Sequence, residues 1–416
     1  MIERKLHAFI LEMLDVFRIV AINGPRQSGK TTLQKLIAKE KNMKYYTFDN
    51  QETLNTASND PVGFITFIAK ESVAIDEVQM IPDVIPAIKL SVDEANAKGH
   101  FLLTGSSDMF KNSKIKESLA GRMASFNLFP LSYAEINGRD INIVDKLFSN
   151  DFNLFTTDFG KIPNDDFVNA VLSGGYPEVY HLPFKSRKVW FEFYIKARIS
   201  KDIATIENVY LSKVASLDRL LKVLSAQIGS LVNYKNISNA IGIADKTVAK
   251  YIQLLEALYI VKLVPAYANN QLKRVIKSPK VQFIDTGLAS MLLNVDLEGA
   301  MTKQGEFYGN LVESFVYSEL IKHQSYADTS INIYHYRDGD KKEVDFVLES
   351  SDGSVVALEI KSGSKIKKEY FKGLLVLAKT LKDKSFKGIV FYGGDEVLPY
   401  KVDEFQFWAI PLKVLL

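Results

Sequence analysis

The segment Gly24–Thr31, GPRQSGKT, constrains this chain more than any other, because it fits the pattern G-x-x-x-x-G-K-[ST] at every fixed position. An apolar, β-branched run, Phe17–Gly24, leads into it, and a segment from about Lys30 to Lys41 follows. The run predicts a buried parallel strand, and the following segment predicts a helix. Glycine lets the intervening loop curl so that its N–H groups point at phosphate oxygens. The sequence therefore predicts a strand, a phosphate-binding loop and a helix, in that order.

The residue types of this loop indicate ATP and Mg²⁺ as its ligands. The helix adds its positive N-terminal end to the loop. Lys30 is expected to reach the β- and γ-phosphates, and Thr31 to offer its hydroxyl to Mg²⁺. The predicted nucleotide-binding residues of the loop are Gly24, Pro25, Arg26, Gln27, Ser28, Gly29, Lys30, Thr31 and Thr32.

Two further apolar runs, SVAIDEVQ and HFLLTGSS, end in polar residues that complete the predicted site. The carboxyl ends of parallel strands meet at one crevice, where ligands bind. Asp76 is predicted to hold Mg²⁺, through water or the loop threonine, and Glu77 to polarise the attacking water. Thr104, in the second run, is predicted to orient that water. The alternatives are a solvated strand end for the two acids and a simple turn for Thr104.

Arg122 follows a glycine in ESLAGR, just before another apolar run. This position suits an arginine that contacts the γ-phosphate of a neighbouring subunit, with a structural ion pair as the alternative. In order, GPRQSGKTT, DEVQ, LTGSS and SLAGR resemble the prokaryotic group of AAA+ ATPases, over Met1 to about Asn150. The resemblance implies a P-loop ATPase domain over residues 1–150 and a possible homo-oligomer.

The middle of the chain is expected to form a helical lid or linker, residues 151–215, and a DNA-contacting part, residues 216–300. The second part has the order helix, turn at Gly242, helix and apolar strand, which looks like a winged helix. Leu231 to Lys280 contains eight Lys or Arg against two Asp or Glu, which indicates a polyanion partner. Protein interaction is the alternative role. The predicted DNA-binding residues are Lys246, Lys250, Lys273 and Arg274.

Residues 301–416 are expected to form an amphipathic helix, GEFYGNLVESFVYSELIKH, and then three strands, INIYHYRD, KEVDFVLES and VVALEIKS. Glu359 and Lys361 lie two apart in the third strand, so they point to the same face. A hairpin places Asp345 beside them. Converging carboxylates repel unless a divalent cation joins them, and Mg²⁺ prefers oxygen ligands. Asp345, Glu359 and Lys361 are therefore predicted catalytic residues, with the lysine positioning a water for phosphodiester hydrolysis.

Glu313, Asp345 and the segment Glu359–Lys361 together resemble the PD-(D/E)XK nuclease fold, over Met301 to Leu416. The resemblance implies a restriction-endonuclease-like α/β domain in which Glu313, Asp345 and Glu359 hold a metal. Val344 stands where that family often has proline. Two alternatives stay open. One is a strand-edge charge beside a salt-bridged surface pair, and the other is a nuclease fold that binds without cleaving.

Composition bounds the remaining possibilities. A chain of 416 residues, at about 100–200 residues per domain, predicts several domains. The absence of cysteine excludes disulfides, thiolate zinc sites and a cysteine nucleophile. Charged residues interrupt the N-terminal apolar segment, and no apolar run approaches the ~18 residues of a spanning helix. These features predict a soluble, cytoplasmic protein without membrane contact.

The predicted fold class is α/β multidomain, with a P-loop AAA+ parallel sheet, a helical and winged-helix middle, and a C-terminal restriction-endonuclease-like domain. The predicted function is an ATP-binding and ATP-hydrolysing protein, with Mg²⁺, that couples nucleotide state to a DNA-binding, nuclease-like module. The alternative is an ATP-switched regulator or protein-interaction scaffold with an inactive nuclease fold.

Overall fold

The structure, a computed structural model, describes residues 2–106, 119–149, 162–199, 214–268, 278–301, 305–381 and 384–416. Its contacts divide the chain into two compact units. The N-terminal unit is Met1–Leu131 with Ala257–Tyr259, and the C-terminal unit is Ser132–Glu256 with Ile260–Leu416.

The N-terminal unit is built on a five-stranded sheet in which all pairs are parallel. Its strands, in the spatial order β2-β3-β4-β1-β5, are β1 (Ile19–Asn23), β2 (Lys44–Thr47), β3 (Val73–Asp76), β4 (Phe101–Gly105) and β5 (Met123–Asn127). Every residue of β1, β3 and β4 is buried, which explains their nearly continuous apolar runs. The register pairs Thr47 with Asp76 and Asn23 with Gly105, so the strands end together at one edge.

Two helices of this unit carry clear start signals. Asn50 caps one helix by accepting the N–H of Thr53, and Asp60 caps the next, which begins with Pro61. The described α-helices are α1 (Leu6–Val16), α2 (Lys30–Glu40), α3 (Gln51–Asn59), α4 (Pro61–Ile68) and α5 (Val84–Ala95), with a 3-10 turn at Val78–Met80. The predicted strand, loop and helix around Gly24–Thr31 are confirmed.

The C-terminal unit begins with a helical region and has further helices before and between the strands of its larger sheet. Its α-helices are α6 (Tyr133–Ile136), α7 (Ile143–Phe148), α8 (Asn164–Ser173), α9 (Phe184–Phe193), α10 (Val214–Ala226), α11 (Tyr234–Ile241), α12 (Asp245–Ala257), α13 (Thr286–Leu293), α14 (Leu297–Met301), α15 (Gly305–Gln324) and α16 (Lys372–Thr380). A π-helical turn covers Tyr194–Ile199, and 3-10 turns cover Lys368–Phe371 and Leu412–Leu415. None of the helices in the described ranges is both long and apolar enough to cross a membrane.

Helices α11 and α12 are joined by a tight turn at Gly242, whose φ of 73° favours glycine. A two-stranded antiparallel sheet follows, formed by β6 (Val261–Val264) and β7 (Lys280–Phe283). This is the helix, turn, helix and strand order expected from the sequence. Lys273 and Arg274, between β6 and β7, lie outside the described residues.

The rest of the C-terminal unit is a six-stranded mixed sheet in the order β12-β13-β11-β10-β9-β8. Its strands are β8 (Ile331–Arg337), β9 (Glu343–Ser350), β10 (Val355–Lys361), β11 (Phe386–Tyr392), β12 (Leu398–Val402) and β13 (Phe405–Pro411). The three predicted strands are confirmed as β8, β9 and β10, joined in two antiparallel pairs. The fold class is therefore α/β multidomain, with a parallel sheet, a helical middle and a mixed sheet.

Helix α15 corrects one sequence expectation. The sequence predicts an amphipathic helix, which would keep one solvated face, but every residue of Leu311–His323 is buried. Its polar side chains find partners inside the protein. Ser318 donates to a main-chain carbonyl 2.8 Å away, and Lys322 donates to Glu319 at 2.7 Å. Because buried polar groups with partners are tolerated, periodicity alone could not identify this helix as fully buried.

Candidate functional site

The phosphate loop joins β1 to α2 through backbone conformations that need glycine. Gly24 has a φ of 146°, and a Cβ there would lie 2.2 Å from the carbonyl oxygen of Leu128. Gly29, with a φ of 96°, occupies the position before the first residue of α2. The loop can therefore close around its N–H groups only with glycine at these two positions.

Lys30 opens α2 and is buried at the loop. Its ammonium donates to the carbonyl oxygens of Gly24 at 2.9 Å and Pro25 at 2.7 Å. The hydroxyl of Ser28 is buried as well, and it has no hydrogen-bond partner within the described part of the chain. The loop thus holds a cation and an unpaired hydroxyl, both suited to an anionic ligand.

Arg4 also holds the loop, although nothing in the sequence singles it out. Its guanidinium donates to the carbonyl oxygens of Ser28 and Phe129, both at 2.7 Å. Arg4 thus fastens the loop to the segment that follows β5. A pairing across more than a hundred residues has no local sequence signal.

Asp76, at the end of β3, accepts hydrogen bonds from three hydroxyls. Thr31 donates to Oδ2 at 2.8 Å, Tyr45 donates to the same oxygen at 2.9 Å, and Thr104 donates to Oδ1. Burial, and then the charge of Asp76, raises the pKa of Tyr45 above its usual value. The structure therefore brings the predicted Thr31, Asp76 and Thr104 together and adds Tyr45.

Glu77 follows Asp76 in a left-handed conformation, with a φ of 57°. Its N–H donates to the hydroxyl of Thr104 at 3.2 Å, and its carboxylate accepts from the amide of Gln79. That amide also donates to Ser106 at 2.9 Å. A non-glycine residue in this conformation is uncommon and is found at functional sites, where surrounding contacts hold it. Gln79, the last residue of the DEVQ segment, therefore links the carboxylate of Glu77 to Ser106.

Replacing Thr104 with valine should destabilise the protein and lower its rate of ATP hydrolysis. The valine removes the hydroxyl and leaves the buried N–H of Glu77 and Oδ1 of Asp76 without that partner, at a cost of about 1–3 kcal/mol in unfolding free energy. Thr104→Ser keeps the hydroxyl and should stay closer to the wild type in both respects. Denaturant unfolding and phosphate release measure the two effects. Equal stability and turnover in the valine and serine variants would exclude this role.

Arg122 lies just before β5, at the amino-terminal end of the parallel strands, whereas the phosphate loop lies at their carboxyl end. Its Nε and Nη2 donate to the carboxylate of Asp93 at 2.6 and 2.9 Å. This pairing raises the pKa of Arg122 and lowers that of Asp93. Within one chain, Arg122 is a surface ion pair, and any contact with γ-phosphate would have to be made to a second subunit.

A second group of predicted residues meets in the C-terminal unit. Strands β9 and β10 pair so that Phe346 faces Leu358, which sets Asp345 beside the end of β10. Oδ2 of Asp345 accepts the N–H of Ile360 at 2.8 Å, and Lys361 donates to Oε1 of Glu359 at 2.6 Å. The predicted neighbourhood of Asp345, Glu359 and Lys361 is therefore present in the structure.

Glu313, on α15, joins this group together with a lysine that no sequence pattern indicates. Lys280, the first residue of β7, places its ammonium 3.2 Å from Oε1 of Glu313 and 3.4 Å from Oδ1 of Asp345. Gln282 donates to the same oxygen of Glu313 at 2.8 Å. We call Lys280, Glu313, Asp345, Glu359 and Lys361 the carboxylate cluster.

The electrostatics of the carboxylate cluster follow from burial and from crowded charges of both signs. Burial, and then the charge of Asp345, raises the pKa of both Glu313 and Glu359. Burial opposes the charged forms of Lys280 and Lys361, but the neighbouring carboxylates outweigh it and raise the pKa of each lysine. Among the described residues, no group of three or more His, Asp or Glu side chains is placed to hold a metal ion.

The predicted DNA-binding residues that the structure describes are Lys246 and Lys250. Both are exposed on α12. Exposure is necessary for contact with a phosphate backbone.

Sequence comparison addresses the N-terminal site directly. Residues 16–137 match the AAA domain family. The match spans β1, the phosphate loop, Asp76, Glu77 and Thr104. Residues 16–137 form a P-loop ATPase domain of the AAA type. Nucleotide binding belongs to this AAA domain, and the glycine-rich loop before α2 is its P-loop.

Two regions beyond the AAA domain match families described as domains of unknown function. Residues 164–299 match DUF8612, and residues 308–415 match DUF4143. Neither description states an activity. The winged-helix and nuclease-like assignments therefore stay predictions.

Two similar proteins align with most of the chain, but their names state no function. Two uncharacterized proteins, Rv2008c of Mycobacterium tuberculosis and Mb2031c of Mycobacterium bovis, are each 28% identical over 350 residues. Those alignments cover 83% of this chain and 70% of each relative.

Similar solved structures include a Walker-type ATPase of Pyrococcus abyssi, with 12% identity, a TM-score of 0.42 and coverage of 70% of this chain and 96% of that one. The RuvB Holliday junction branch migration motor of Thermotoga maritima has 15% identity, a TM-score of 0.30 and coverage of 64% and 90%. Because both TM-scores lie below 0.5, neither structure informs the function of this chain.

Proposed function

We propose that the chain is a Mg²⁺-dependent ATPase, acting in the cytoplasm, that couples its nucleotide state to a DNA-binding, nuclease-like C-terminal part. One observation carries the ATPase proposal. Hydrogen bonds beside the phosphate loop connect four predicted site residues: Thr31, Asp76, Thr104 and Glu77. A hydroxyl and a carboxylate in contact are hard oxygen ligands, which fit Mg²⁺. Glu77 is the adjacent carboxylate that can act on water.

Each predicted site residue of the AAA domain then has a defined task. The loop N–H groups and Lys30 hold the phosphates, and Thr31 with Asp76 would hold Mg²⁺. When bound, the ion neutralises charge on the β- and γ-phosphates. Glu77 orients the attacking water and accepts its proton. The hydroxyl of Thr104 holds both acids in place, because it accepts the backbone N–H of Glu77 and donates to the carboxylate of Asp76.

Arg122 enters this proposal only as a group that acts between subunits, since it lies at the end of its own sheet opposite the phosphate loop. Such an arrangement requires a homo-oligomer and the release of Arg122 from Asp93. Full ATP turnover by a strict monomer would exclude it.

The DNA part of the proposal is supported by the exposed lysines of α12 and by the excess of basic residues from Leu231 to Lys280.

Changing both Lys246 and Lys250 to glutamate should weaken duplex DNA binding and flatten its dependence on salt, because fewer counterions are released. Lys98→Glu, an exposed change in the N-terminal unit, is the control for a lysine-to-glutamate change elsewhere on the surface. Fluorescence anisotropy at several salt concentrations measures both quantities. An unchanged salt slope would remove α12 from the DNA interface.

A second candidate function is an ATP-switched regulator or scaffold whose nuclease-like part does not cleave. One observation favours it: the ammonium of Lys280 stands between Glu313 and Asp345, where the nuclease resemblance would place a metal. In this case DNA or a protein partner would be bound but not cut.

A further inference from the structure

Lys280 is fixed at the centre of the carboxylate cluster by the fold around it. Its side chain is only 6% exposed. It begins β7 and forms an isolated bridge with Leu231, while the carbonyl of the next residue, Val281, accepts the N–H of Gly229. The main chain around Lys280 is therefore held, and its ammonium is directed between Glu313 and Asp345.

Four of the six carboxylate oxygens in this cluster already accept hydrogen bonds. Oε1 of Glu313 accepts from Lys280 and Gln282. Asp345 uses one oxygen for Lys280 and the other for a backbone N–H. A divalent ion, which binds about six oxygens at short range, would have to compete with these donors and approach a buried ammonium.

Two carboxylate oxygens of the cluster accept no hydrogen bond in the described part of the chain: Oε2 of Glu313 and Oε2 of Glu359. The second of these oxygens is also buried. The other four carboxylate oxygens are bonded to Lys280, Gln282, Lys361 and the N–H of Ile360, so a divalent ion could gain further protein ligands only by displacing an ammonium or another donor. The residues present therefore do not fit the metal that the nuclease resemblance implies.

We propose that Lys280 is the resident cation of the carboxylate cluster and closes it to divalent metal. The ammonium supplies the positive charge that Glu313 and Asp345 need in a buried site, so that the cluster is stable without an ion. While Lys280 stays in place, the C-terminal part does not carry out metal-dependent phosphodiester cleavage. This inference rests on the proposed nuclease-like arrangement and is independent of ATP hydrolysis.

The test counts Mn²⁺ ions bound to the full chain without nucleotide, by electron paramagnetic resonance titration. Wild type and Asp345→Asn should bind the same number of ions, because Asp345 holds none. Lys280→Met removes the ammonium from a side chain of similar length and should gain one Mn²⁺ per chain. Adding Asp345→Asn to Lys280→Met should remove that gain, and Lys280→Arg, which keeps a cation, should show none.

Two results would overturn the proposal. The first is a wild-type Mn²⁺ site that disappears in Asp345→Asn, and this comparison decides the matter even if Lys280→Met does not fold. The second is a folded Lys280→Met that gains no ion. A failed ATPase proposal is distinguishable, because these titrations contain no nucleotide and do not depend on Glu77.

Discussion

Replacing Glu77 with glutamine is expected to stop ATP hydrolysis while leaving ATP bound. The amide keeps an oxygen that can accept from Gln79, so the local structure should persist. It cannot accept a proton from water, and loss of a general base lowers turnover by about 10²–10⁴-fold. Phosphate release measures turnover, and calorimetry with ATP and Mg²⁺ measures binding.

The control for this variant is Glu71→Gln. Glu71 is an exposed acid of the same unit, which pairs with Lys44 at 2.9 Å, outside the site. Its replacement should leave both quantities near the wild type. Hydrolysis by Glu77→Gln at the wild-type rate would show that Glu77 is not the base.

Replacing Lys30 with alanine should remove most of the affinity for ATP. The buried ammonium sits at the loop, and a charge-assisted hydrogen bond to a phosphate contributes about 1.5–3 kcal/mol, or roughly a 10- to 150-fold change in Kd. Calorimetry measures the loss. An unchanged Kd for ATP would contradict the assignment of this loop as the phosphate site.

Lys39→Ala is the matched control for Lys30→Ala, since Lys39 is an exposed lysine on the same helix. It changes the net charge equally and should leave the Kd unchanged. Thermal unfolding of both variants is needed as well, because Lys30 also donates to two loop carbonyls. A folded Lys30→Ala with lost affinity separates ligand binding from stability.

The AAA domain could be predicted from the sequence because its signals are local. The loop needs glycine at Gly24 and Gly29 for backbone reasons that act within a few residues. The apolar run before Asp76 indicates a buried strand, and parallel strands bring their ends to one edge. These two rules are enough to bring Thr31, Asp76 and Thr104 to the same place.

Only part of the carboxylate cluster could be predicted from the sequence. Alternation along β10 places Glu359 and Lys361 on one face, and the hairpin adds Asp345. Lys280 lies far from these residues in sequence and enters from another sheet, so neither spacing nor periodicity indicates it. Arg4 and Tyr45 at the nucleotide site escape prediction for the same reason, since each acts through a contact between distant segments.

The most direct test of the coupling between nucleotide and DNA uses the Glu77→Gln variant, which should hold ATP without consuming it. Its equilibrium affinity for duplex DNA would be measured with Mg²⁺ and saturating ATP, and again with Mg²⁺ and saturating ADP. Coupling between two sites is typically about 1–3 kcal/mol, so the account predicts affinities that differ by about 5- to 150-fold. Equal affinities in the two nucleotide states, or no DNA binding in either, would contradict it.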